Sequence, residues 1–239
     1  MGTMKKIAVL AHSEEFGLGA LAALMDQEKA NYTVISAWEK HTAPVIGETD
    51  AWVILGGPMS SSDEKKLLWL SAEKDYLAEV VDSGKPILGL GLGARILAEL
   101  LGSEISSLEK PEIGYFPLTF SPLAQEIGFP ATTETPTFHW HSESFTLPEG
   151  AKLLASSQAC PNQAFRYGPI LAFQFHPEAD AEWTTRVAKK HKSELKGGGD
   201  FIQSLDEITS HAPQTPALLK AVWTALWAPA PNPEALAES

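Results

Sequence analysis

Short apolar runs recur through the first ninety residues, each separated from the next by a stretch of helix length. Lys6 to Ala11 suits a buried strand, and a helical stretch follows around Leu18 to Glu28. Tyr32 to Trp38 is β-branched and aromatic, and Ala51 to Leu55 is a third apolar run that stops at Gly56-Gly57-Pro58. From Glu64 to Asp82, Leu67, Leu68, Leu70, Tyr76, Leu77, Val80 and Val81 fall at helical spacing, and Gly84 closes the stretch. A strand over Ile87 to Leu90 then runs into a helix over Gly93 to Leu101. Short buried strands alternating with helices predict an α/β fold: a central, mainly parallel sheet with helices on both faces. Ligands in such sheets bind outside the carboxyl ends of the strands, where Gly57 and Gly91 fall.

Beyond Glu112 the rhythm changes to strands and turns. Ile113 to Thr119, Thr137 to Leu147, Ala151 to Ser156, Gln163 to Tyr167 and Ile170 to Phe175 are the expected strands, several of them antiparallel, forming a small annex. A helix over Ala181 to Lys196 follows, then the break Gly197-Gly198-Gly199. The last helix, Pro216 to Trp227, sets Leu218, Leu219, Val222, Trp223, Leu226 and Trp227 along one side, which predicts packing on its own domain. The Pro/Ala-rich tail from Ala228 is expected to fray. The division expected is one domain over 4–196 and a C-terminal helical extension and tail over 197–239. Met1 to Thr3 read as residues added ahead of Met4 and are set aside.

Charge narrows the partners. The 239 residues carry 30 acidic and 18 basic side chains, a net charge of -12, which argues against nucleic acid or an anionic membrane surface. No apolar run is long enough to span a bilayer, and no basic-then-apolar leader opens the chain. One cysteine, Cys160, excludes an intramolecular disulfide framework and fits a reducing, cytoplasmic setting.

The chemistry centres on Pro86-Ile-Leu-Gly-Leu-Gly-Leu-Gly-Ala-Arg95. A strand turning sharply into a helix through Gly-x-nucleophile-x-Gly is a nucleophile elbow, yet Gly91 occupies the nucleophile's place. Two further segments complete the set. Phe173-Gln-Phe-His-Pro-Glu178 delivers His176 with Glu178 two residues on, the arrangement of a general base and a carboxylate that orients it. In the Gly56-Gly57-Pro58 turn, glycine lets the backbone present an N–H to a developing oxyanion.

In this order and at these separations the three segments resemble the class I glutamine amidotransferases, over about Lys5 to Ala188. The likeness sharpens at Glu112-Ile-Gly-Tyr115, Phe138-His-Trp-His141 and Ala159-Cys-Pro-Asn-Gln-Ala-Phe165, which are similar to the stand-alone branch related to the glutaminase domain of GMP synthase. The resemblance implies a flavodoxin-like three-layer fold. It also implies hydrolysis of the glutamine side-chain amide by a cysteine, through a thioester, with transfer of the ammonia. On it, His176 is the base, Glu178 its orienter, and the backbone N–H groups of Gly57 and Leu92 the oxyanion hole. The implied partners are glutamine or a related small molecule and an ammonia-accepting enzyme, with no cofactor.

Two positions depart from the family. Gly91 replaces the cysteine, and Arg95 stands where a glutamine is usual near the substrate. Loss of the nucleophile alone costs on the order of 10⁶ in turnover in a serine hydrolase. The expectation is therefore a silent or nearly silent member, and the alternative is a non-catalytic protein that binds a small anion or amide or regulates a partner. Cys160 lies in another segment and reads as a structural residue in a turn.

Arg95, one turn beyond Gly91, is a candidate anion partner at a helix N-terminus, against pairing with a surface acid such as Glu99. His141 is the other candidate ligand contact. Gly89 to Ala94 also spells the dinucleotide fingerprint, but at the fourth strand, with Glu109 or Glu112 in loop-like sequence; this reading is set aside. A metal cluster of His139, His141, His176 and Glu178 is likewise set aside, since the resemblance implies none there, and no metal is expected.

Overall fold

The computed structural model describes residues 5–129, 136–211 and 216–229. Met1 to Thr3 and the tail from 230 lie outside them. The first half alternates as β1 (Lys6–Ala11), α1 (Ala20–Gln27), β2 (Asn31–Ser36), β3 (Ala51–Ile54), α2 (Leu68–Asp82), β4 (Ile87–Leu90) and α3 (Leu92–Leu100). There follow β5 (Ile105–Phe116), β6 (Thr119–Phe120), α4 (Pro122–Glu126), β7 (Thr137–Phe145), β8 (Lys152–Ser156), β9 (Ala164–Tyr167) and β10 (Ile170–Phe173). Three helices end the described chain: α5 (Ala181–Lys190), α6 (Leu205–Ser210) and α7 (Pro216–Trp227).

Eight strands form one sheet in the order β2-β1-β3-β4-β10-β9-β8-β6, and β5 and β7 form a separate antiparallel ribbon. From β2 to β10 all neighbours are parallel; β9, β8 and β6 add on antiparallel. Most of the expected annex is thus the sheet's own antiparallel wing.

The apolar runs face both ways, as strands buried on two sides must. Ile7, Val9, Ala11, Val53, Leu88, Leu90, Leu171 and Phe173 point into a core shared with Leu21 and Met25 of α1 and Leu219, Val222 and Trp223 of α7. Ala8, Leu10, Trp52, Ile54, Ile87 and Ile170 point the other way, onto Leu70 and Leu77 of α2 and Ile96 and Leu97 of α3. The last helix does pack on this sheet. Residues 201–203 are also tied in: Ile113 N–H donates to Phe201 O at 2.8 Å and Gln203 N–H to Ile113 O at 2.9 Å.

Several boundaries move. The stretch from Glu64 begins as a 3-10 turn (Asp63–Lys65) before α2, and α5 stops at Lys190, with a 3-10 turn at Glu194–Gly197. Glu109 and Glu112, expected in a loop, lie on β5, which starts at Ile105 and takes a register shift between Ser107 and Glu112. Polar side chains around that irregularity hide the strand's period. Two short helices carry cap signals the sequence reading passed over. Ser121 with Pro122 opens α4, and Ser204 with Glu207 forms a capping box on α6.

Candidate functional site

Three adjacent parallel strands bring the landmarks together. Ile54 of β3 lies beside Gly89 of β4, and Phe173 of β10 beside Leu90, so Gly56-Gly57, Gly91 and the segment leading to His176 emerge at one sheet edge. Gly91 N–H donates to Phe173 O at 2.8 Å, and Gly93 N–H to Leu55 O at 3.2 Å, which locks the elbow to both neighbours. Gly91 has φ 53 and ψ -110, the conformation of a sharp strand-to-helix turn. Gly93 lets α3 lie directly on β3: a Cβ there would stand 2.2 Å from Ile54 O.

His176 is 1% and Glu178 1% exposed. Glu178 Oε1 accepts from His176 Nδ1 at 2.8 Å, and His176 N–H donates to Phe138 O at 2.8 Å. Held this way, the ring presents Nε2 to the elbow: a Cβ built on Gly91 falls 3.2 Å from Nε2 and 2.8 Å from Cε1. Gly56 closes the same corner, since a Cβ on it would meet His176 Cε1 at 3.0 Å. Gly57 packs beside Leu92, and among the described residues neither backbone N–H has a hydrogen-bond partner.

Next to the elbow lies a polar cavity of 130 Å³, walled by Gly57, Pro58, Met59, Ser60, Arg95, Trp140, His141, Ser142, Glu143 and Glu194. Larger cavities of 390 and 320 Å³ lie along the β1–β2 edge and beside α2, and neither is lined by Gly57 or Arg95; Gly91 and His176 line none of the three. Arg95 neither reaches solvent nor pairs with Glu99, which takes Lys74 at 2.8 Å instead. It is buried, with Nε 3.4 Å from Glu143 Oε2, while Ser60 Oγ donates to Glu143 Oε1 at 2.6 Å. Burial pulls the guanidinium below its ordinary pKa, partly offset by Glu143. The cavity therefore offers one fixed cation and one fixed anion side by side.

His141 lines that cavity, and its Nδ1 donates to Glu143 O at 3.2 Å. Desolvation lowers its pKa to about 3, and that of His139 to about 4, so both rings are neutral near pH 7. The four-residue metal set does not assemble as read from sequence: His176 belongs to Glu178, whereas His139 and His141 converge on Glu112. Cys160 is buried against Ser144 Oγ at 3.1 Å, and burial raises its thiol pKa.

Sequence reasoning missed Glu143, Ser60 and the pair His12–Glu73. His12 Nε2 lies 3.0 Å from Glu73 Oε1, and its Nδ1 donates to Leu55 O at 2.9 Å, steadying the strand end that carries Gly56-Gly57. No local signal marks these residues, because 61 positions separate His12 from Glu73.

Residues 21–191 match the family model described as glutamine amidotransferase class-I. The chain belongs to the class-I glutamine amidotransferase family. The glutamine amidotransferase-like protein YfeJ of Salmonella typhimurium is 29% identical over 198 residues, covering 76% of this chain and 80% of that one. One subunit of the glutamine-hydrolysing GMP synthase of Methanospirillum hungatei is 34% identical over 103 residues, covering 42% of this chain and 54% of its own length. A crystal structure of a glutamine amidotransferase from Thermotoga maritima superposes with TM-score 0.81 at 25% identity, covering 100% of each chain. The span matched to this glutamine amidotransferase family holds the elbow, His176 and Glu178, and ends before α6 and α7.

Proposed function

We propose that this amidotransferase-family protein binds glutamine or a closely related amide beside the elbow but does not hydrolyse it at an enzyme's rate. The observation that carries the reading is Gly91: the strained turn is kept at φ 53 beside His176 Nε2, with no side chain to attack. Everything around the nucleophile's place remains fit for acyl transfer. His176 is the proposed base, Glu178 holds its tautomer, and the unpaired N–H groups of Gly57 and Leu92 are the proposed oxyanion donors. Such a hole still polarises an amide carbonyl without any covalent step.

The Arg95–Glu143 pair sets the ligand class. A bare anion would meet the Glu143 carboxylate, whereas the zwitterionic head of an amino acid puts its carboxylate on Arg95 and its ammonium on Glu143. A second reading, a regulatory binding protein or a subunit docking on an ammonia-accepting enzyme, is favoured by that pair together with the vacant nucleophile position.

The test is ammonia release from glutamine by this chain beside its Gly91→Cys variant, with calorimetric titration of glutamine into both. Binding without turnover in the parent, and turnover in the variant, is the expected result. No glutamine binding by either chain would overturn the proposal. Arg95→Ala is expected to weaken glutamine binding by about 2 kcal/mol or more, some 30-fold.

A further inference from the structure

We propose that Glu112, His139 and His141 form a buried site for one divalent transition-metal ion, zinc by the chemistry of the donors. His139 and His141 are two apart on β7, so both rings leave the same face, and Glu112 sits opposite His141 across the ladder to β5. Glu112 Oε2 lies 3.4 Å from His139 Nδ1 and 3.3 Å from His141 Nε2, and the three ligand atoms all lie within 4.8 Å of one another. Donors held about 2.0–2.1 Å from a tetrahedral zinc stand roughly 3.3 Å apart. Both distances to Glu112 Oε2 match that edge.

The outer ring nitrogens fix what the inner ones offer. His141 Nδ1 spends its proton on Glu143 O, so Nε2 turns a lone pair toward the carboxylate. His139 Nε2 is engaged by the Thr137 hydroxyl at 3.0 Å, and its Nδ1, though aimed at Glu112, has no hydrogen-bond partner among the described residues. Ligating histidines are held in this way, by their second nitrogen on a neighbouring oxygen.

A self-sufficient hydrogen-bond cluster leaves too much unsatisfied: His139 Nδ1, Glu112 Oε1 and Gln163 Oε1 are all buried without partners. The Gln163 amide lies with Nε2 2.6 Å from Glu112 Oε2 and 3.3 Å from His141 Nε2. Ser157 Oγ donates to the same Oε2 at 2.9 Å, so the amide and the hydroxyl hold the carboxylate in place. Three protein donors leave a tetrahedral ion one open position, and here they tie β5 to β7 behind the cavity wall that His141 shares.

The experiment strips the full chain with a chelator, then titrates Zn²⁺ by calorimetry and Co²⁺ by visible absorption. Expected are one equivalent per chain, the strong visible bands of tetrahedral Co²⁺, and a melting temperature several degrees higher with Zn²⁺. Glu112→Gln and His139→Gln are expected to weaken binding by at least about 100-fold, while the exposed His41→Ala leaves it unchanged. The Co²⁺ spectrum and the thermal shift need no variant, so a variant that fails to fold does not blunt the test. No binding to the stripped parent, a weak octahedral spectrum, or undiminished binding by Glu112→Gln would overturn the site.

Discussion

Gly91 is the position on which the chemistry turns, and its neighbours state what a side chain there would meet. A Cβ would press on His176 Cε1 at 2.8 Å and keep a φ of 53, so Gly91→Cys must displace the ring by a few tenths of an ångström. The variant is expected to gain glutamine hydrolysis by orders of magnitude, up to about 10⁶-fold. The same change is expected to cost about 1–3 kcal/mol of stability through backbone strain, read by urea denaturation. His12 yields a pH prediction. Burial alone would lower its pKa, but the charge of Glu73 and hydrogen bonds to it and to Gly56 and Leu55 outweigh that, and the net direction is up from 6.5. A raised folded pKa means the pair's contribution is full below about 6.5 and fades as pH rises through the folded value. Glu73→Gln is expected to cost about 3–5 kcal/mol at pH 6 and distinctly less at pH 9, by denaturant melts at both. Gly91, His176 and Glu178 were legible from local motifs, because an elbow and a His-x-Glu segment are each written in a few consecutive residues. Glu143 was not: it meets Arg95 only after β7 is laid beside α3.

Helices and strands here obey local rules until backbones touch. The seam between α3 and β3 is such a place, and Gly93→Ala would drive a methyl group into Ile54 O. That substitution is expected to destabilise the protein by about 1–3 kcal/mol and to disturb the elbow, seen as loss of glutamine binding. The capping box on α6 is a milder case. Ser204→Ala removes acceptance from Glu207 N–H and is expected to cost about 1 kcal/mol, by thermal melts. The strands β1, β3 and β4 were read within a residue of their ends, since continuous apolar runs bounded by turns leave few alternatives. The start of β5 was not, because a bulge breaks its alternation and puts charged residues on the outside.

The described chain closes around its sheet with α7 as the cover. Leu219, Val222 and Trp223 sit in the same core as Leu21 and Met25 of α1, and Arg166 Nη2 donates to Ala228 O and Pro229 O at 3.1 Å each. Trp223→Ala is expected to cost about 3–5 kcal/mol, measured by denaturant unfolding, and to expose the sheet face. No helix among the described residues is long and apolar enough to cross a membrane. Hydrophobic spacing and three short motifs were enough for the α/β class, the family and the missing nucleophile, because each depends on neighbours within a few residues. The pairing of Arg95 with Glu143, the meeting of Glu112 with two histidines, and the joining of the antiparallel strands to the main sheet came only with the folded chain. Each joins residues tens of positions apart, and the burial of these polar side chains, unlike that of the apolar runs, has no signature in the local sequence.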